Sequence, residues 1–238
     1  MVIVKAKNSV GIPVLEVVAE HAQNEPLPLV VWYPDWQQTM EMNLTVAYEL
    51  AKRGLRVVLP ELLYHGRRQS EAPTWEHDVD LFEILKQTVH EFDSLRSDYQ
   101  DQNLLQGQVV VGGTGFGGMI ACALLAQTKA SDLQGAVCMM GTPRLTEAAE
   151  HWAQHLNPAK LVDDPQTYQA SLTEYDLALH PERITGRLLH FWHGKRDRVI
   201  PYDSTASFVD EIQVAPYGPI RQGCLAIDLS RRHASADL

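Results

Sequence analysis

The run Val109-Val110-Val111-Gly112-Gly113-Thr114-Gly115-Phe116-Gly117-Gly118, passing directly into the apolar stretch Met119 to Ala126, most constrains the fold of this chain. Successive β-branched residues favour an extended strand, whereas the alanine- and leucine-rich stretch after the glycines favours a helix. The glycines leave no ordinary loop between the two. The chain must turn sharply from strand to helix, with backbone passing where side chains would clash.

Short apolar runs at Leu29 to Tyr33, Arg56 to Leu59, Gln108 to Gly112, Ala136 to Met140 and Leu188 to Trp192 alternate with helical patterns. That alternation predicts a mostly parallel sheet of buried strands. Val2 to Ala6 and Ile12 to Ala19, separated by Asn8-Ser9-Val10-Gly11, read as an antiparallel hairpin at its head. From Trp75 to Tyr99, Phe82, Leu85, Val89 and Phe92 recur at helical steps, which predicts an amphipathic helix covering one face. Between Pro143 and Arg187 aromatics, histidines and prolines are scattered without a central strand, the pattern of a helical, lid-like insertion over 143–187. The expected class is therefore α/β: a mainly parallel twisted sheet with an N-terminal antiparallel hairpin, helices on both faces and this insertion. With 45% apolar residues, 238 residues support one substantial core, so 1–238 is expected to form a single domain.

A formal charge of −10 argues against nucleic acid or an anionic membrane as partner, because phosphate binding is supplied chiefly by lysine and arginine. A small neutral or cationic ligand stays open. Cys122, Cys138 and Cys224 are odd in number and lie in apolar runs, as reduced, packed thiols do. Neither a signal-like N-terminus nor an apolar run near the ~18 residues of a membrane span is visible, so the expected location is the cytoplasm. His151 and His155 stand one helical turn apart, but no third ligand accompanies them, and no metal site is expected.

Strand, sharp turn and helix, with Gly113 and Gly117 flanking Gly115, resemble the nucleophile elbow of the α/β-hydrolase superfamily. More narrowly, the chain resembles its small bacterial cytosolic esterase-like members, of the dienelactone-hydrolase and prolyl-oligopeptidase kind. Leu55 to Pro60 followed by His65-Gly66-Arg67, Met139-Met140-Gly141-Thr142-Pro143, and His193-Gly194-Lys195-Arg196-Asp197-Arg198-Val199-Ile200-Pro201 extend the likeness over nearly the whole chain. The resemblance implies no cofactor and a triad of nucleophile, acid and histidine in that order. It places the acid at Asp197 and the base at His233, the one histidine after Asp197. It places the nucleophile at Gly115, which has no side chain to attack with. The amides of Trp36 and Phe116 would be the oxyanion donors. The family commonly has His-Gly after the third strand, whereas Pro34-Asp35-Trp36 stands here and puts a carboxylate beside that position. His65 in the following loop is read as structural, while Trp152, Tyr168 and Tyr175 are read either as cavity lining or as ordinary packing.

Losing the nucleophile of a coupled triad lowers turnover on the order of a millionfold. The leading expectation is a catalytically impaired or non-catalytic ligand-binding homologue of carboxylesterases. Alternatives are an active serine carboxylesterase scaffold that lost its serine at position 115 recently or by engineering, and an interaction protein acting through its surface. A nucleotide-binding protein is a further alternative, because Gly113, Gly115 and Gly118 also satisfy G-x-G-x-x-G, although no carboxylate follows at the tip of the next strand to hold a ribose.

Overall fold

The computed structural model describes residues 1–71, 81–153, 165–184 and 186–214. Seven strands form one sheet: β1 (Val2–Ser9), β2 (Ile12–Ala19), β3 (Leu27–Tyr33), β4 (Arg56–Pro60), β5 (Leu105–Thr114), β6 (Leu133–Met139) and β7 (Leu188–Trp192). Their spatial order is β1-β2-β4-β3-β5-β6-β7. β1 pairs antiparallel with β2, and β2 antiparallel with β4, while the strands from β4 to β7 run parallel. Each apolar run expected to be a strand is one. β5 starts earlier than expected, at Leu105, which pairs with Leu27 across a register irregularity. β6 stops at Met139 because Met140 takes a left-handed φ of 54° that leaves the ladder.

Alternation along the strands divides the core between the two faces. Leu29, Val31 and Tyr33 face a cluster shared with the helices α2 (Leu81–Asp101), α3 (Phe116–Gln127) and α6 (Tyr202–Val214). Val30 and Trp32 face the other side, against Ala47 and Ala51 of α1 (Leu44–Ala51). The stripe Phe82, Leu85, Val89 and Phe92 lies buried on α2, as its periodicity predicts; residues 75–80 of the expected helix lie outside the described residues. Within 143–187 the described residues form the helices α4 (Leu145–Ala153) and α5 (Pro165–Ala170) and short 3-10 turns.

Two consequences position the site. Parallel strands bring the carboxyl ends of β3, β5, β6 and β7 to one edge. After β3 the chain moves outward to β4 and then returns to β5 on the other side of β3, so a crevice opens between the loops that leave β3 and β5.

Candidate functional site

Gly115 stands at the tip of β5 and caps α3 with φ 54° and ψ −116°, a backbone conformation that a residue with a side chain rarely adopts. Its N–H donates to Met139 O at 2.8 Å and its carbonyl accepts from Met119 N at 3.1 Å, which ties the turn to β6 and to the first turn of α3. A β-carbon at Gly117 would run into the backbone of Tyr33 and Pro34. The elbow therefore packs directly against the chain leaving β3.

That chain carries Asp35. Its Oδ1 accepts two backbone N–H bonds, from Trp36 at 2.8 Å and from Phe116 at 2.8 Å. These are the two amides expected to face an oxyanion, and both point at a carboxylate supplied by the protein itself. A β-carbon added at Gly115 would fall within 3.0 Å of Oδ1, Cγ and Oδ2 of Asp35. The volume that a side chain at 115 would fill is thus held by Asp35. Burial pushes the Asp35 carboxyl above its usual range; the two amides pull it back, and the charge of Asp197 adds to the rise.

The loop around Asp35 is braced from below. His65 is buried, and its Nε2 accepts from Gln37 N at 3.1 Å while Nδ1 donates to Leu63 O at 2.8 Å. Its ring meets Trp36 edge-on at 4.9 Å, and Trp36 meets Phe116 in the same way at 5.5 Å. Glu61 accepts from Met40 N at 3.0 Å and Arg67 N at 3.2 Å, joining the loops after β3 and β4. His65 is therefore structural, as read from the sequence, but what it supports is the loop that carries Asp35.

Asp197 lies in the loop after β7, with Oδ1 accepting from Val199 N at 2.9 Å and Ile200 N at 3.0 Å. Its Oδ2 lies 3.4 Å from His193 Nε2, which bonds Ile200 O at 2.9 Å. Asp197 is thus the organiser of its own turn and an electrostatic neighbour of Asp35. His233 and His155 lie outside the described residues. No group of three His, Cys, Asp or Glu side chains among the described residues is arranged to hold a metal.

A cavity of about 670 Å³ opens over Asp35 and Phe116. Trp36, Leu81, Phe82 and Met119 supply apolar walls, and Trp152 of α4 reaches it from the insertion. Tyr168 and Tyr175 do not line it: Tyr168 stacks edge-on against Phe82, and the Tyr175 hydroxyl meets His90 Nε2 at 3.1 Å. Sequence reasoning missed Glu147 and Ser204, which line the cavity from α4 and α6 and belong to a polar seam with Thr142. Their only signal was helical spacing in segments without a motif. A phosphate at the N-terminus of α3 would have to displace the carboxylate already bound to Phe116 N, which opposes a dinucleotide use of the glycines.

The profile of the dienelactone hydrolase family matches residues 15–169. The candidate esterase YitV of Bacillus subtilis is 32% identical over 209 residues, covering 85% of this chain and 81% of that protein. The esterase YjfP of Escherichia coli is 29% identical over 208 residues, covering 86% and 82%. Among solved structures, TT1662 from Thermus thermophilus superposes with a TM-score of 0.74 at 20% identity, over 97% of this chain and 89% of that one. Est1E from Butyrivibrio proteoclasticus, solved with ferulic acid bound, gives 0.60 at 12% identity, over 87% and 85%. No helix among the described residues is long and apolar enough to cross a membrane.

Proposed function

Because the chain belongs to the dienelactone hydrolase family, we propose that it is an esterase relative whose serine-type acyl transfer is lost while its small-molecule cavity is kept. The single observation that carries this reading is the exchange at the elbow: Gly115 offers no nucleophile, and Asp35 occupies both the vacated volume and the two amides. An acyl substrate needs those N–H groups for the oxyanion of its tetrahedral intermediate. With a carboxylate oxygen already there, the developing charge meets repulsion instead of donors. In this reading Asp197 and His233 keep the positions of acid and base, and residues 1–238 act as one domain.

Cavity character defines what is retained. Apolar walls around the Asp35 carboxylate suit a neutral or cationic small molecule with an apolar body, and disfavour an anion. The test is turnover of short-chain p-nitrophenyl esters by the unmodified chain, where negligible hydrolysis is expected. Brisk hydrolysis abolished by His233→Ala would overturn the proposal. Thermal-shift screening of neutral, cationic and anionic aromatic compounds checks the pocket, since a ligand that binds only the folded state raises its apparent stability.

A further inference from the structure

Asp35 is not simply a plug, because its two oxygens are treated differently. Every hydrogen bond that the described residues make to it goes to Oδ1. Oδ2 receives none, and the residue lines the cavity. A side chain of two rotatable bonds is thus fixed at one oxygen by two rigid amides, while the other keeps its lone pairs for whatever enters. This geometry is useless for attack on an ester, whose oxyanion would need the occupied amides. It is suited to attack on a saturated carbon, where no oxyanion forms on the substrate.

We propose that Asp35 is a carboxylate nucleophile that displaced the side chain at 115, and that its substrates are apolar alkyl electrophiles, namely primary alkyl halides and terminal epoxides. In the first step an Oδ2 lone pair forms a C–O bond to the substrate's sp³ carbon. The opposite bond breaks and its electron pair leaves as halide, or as an epoxide alkoxide that takes a proton from water. The product is an alkyl ester of Asp35 whose carbonyl oxygen is Oδ1, still bound by Trp36 N and Phe116 N. Those amides then serve a second step: water adds to Cγ, negative charge develops on Oδ1 where the donors already point, and the alcohol departs with one of the water's protons while the other passes to solvent, restoring the carboxylate. Walls of Leu81, Phe82, Phe116 and Met119 select an apolar alkyl chain and exclude water from the attacking oxygen. The same apolar walls slow the entry of the second-step water to Cγ, so the ester accumulates.

The inference rests on the proposed loss of acyl transfer at Gly115, and the experiment separates the two. Full-length protein is incubated with hexyl bromide or with hexene oxide, then analysed by intact mass and peptide mapping. One alkyl group per chain on the peptide holding Asp35, absent from Asp35→Asn, is the expected result. Asp35→Asn must unfold cooperatively and give an unchanged far-ultraviolet circular dichroism spectrum, so that loss of the adduct reports the carboxylate. In ¹⁸O-labelled water, slow release of the adduct should leave ¹⁸O in the Asp35 side chain. No adduct, or alkylation spread over surface carboxylates and histidines and unchanged in Asp35→Asn, overturns the inference while leaving the ester assays to judge the loss of acyl transfer.

Discussion

Asp176 and Asp35 are both held by backbone amides, yet they are finished differently. Asp176 is 1% exposed; its Oδ2 accepts from Thr146 N at 2.8 Å and Thr146 Oγ1 at 2.7 Å, and its Oδ1 from Ala178 N at 2.9 Å and Leu179 N at 3.3 Å. Both oxygens are saturated, which anchors the start of α4 to the turn after α5. Asp35, which lines the cavity, has one oxygen bound by two amides and the other without a donor among the described residues. Glu16 shows a third solution, deep in the sheet, where Arg56 at 3.1 Å and Lys7 at 2.9 Å neutralise it. A carboxylate buried for architecture is satisfied at both oxygens or met by cations. Asp35 is half-buried and follows neither course.

The largest expected effect lies in the sheet: Arg56→Ala leaves Glu16 without its fully buried partner and should lower unfolding free energy by about 3–5 kcal/mol in urea titration. Asp176→Ala strands its donors at the base of α4 and should cost about 3 kcal/mol by the same measurement. Gly115→Ser forces a side chain onto Asp35 and into a left-handed φ, a penalty of about 1–3 kcal/mol. It should not restore reaction with a serine-directed phosphonate. Combined with Asp35→Gly it should relieve the collision, and mass spectrometry after phosphonate treatment checks whether the new serine reacts.

Asp35→Asn should change stability least at neutral pH, and its pH dependence carries the sign. The folded-state pKa of Asp35 lies above its unfolded value near 3.8, chiefly because of burial. Its contribution is therefore fully present below the unfolded value and is lost as pH rises through the raised folded value. The difference in unfolding free energy between the unmodified protein and Asp35→Asn should move against the unmodified protein over that interval. A shift in the opposite direction would show that amide binding outweighs burial at this carboxylate.

Much of the fold was legible in the sequence because strands and helices write their periods locally. Leu188 to Trp192 and Ile12 to Ala19 are strands with the expected bounds, and the α2 stripe is buried where its spacing places it. The elbow was legible for a related reason: Gly113 and Gly117 are demanded by backbone contacts with residues close at hand in the fold. The cavity walls were not. Glu147 and Ser204 come from helices whose sequences carry no motif, and their convergence depends on how α4 and α6 pack over the sheet edge.

By itself the sequence determined that a strand must turn into a helix at Gly115, that no nucleophile stands there, and that a carboxylate follows β3. Only the tertiary structure decided that these are one feature. Residues 35 and 116 are 81 positions apart, and no local preference relates them. They meet because parallel pairing of β3 with β5 sets Tyr33 beside Gly113, so the two loops leave the sheet at one point. There a missing β-carbon makes room for a carboxylate, and the helix's first amide fixes it in place.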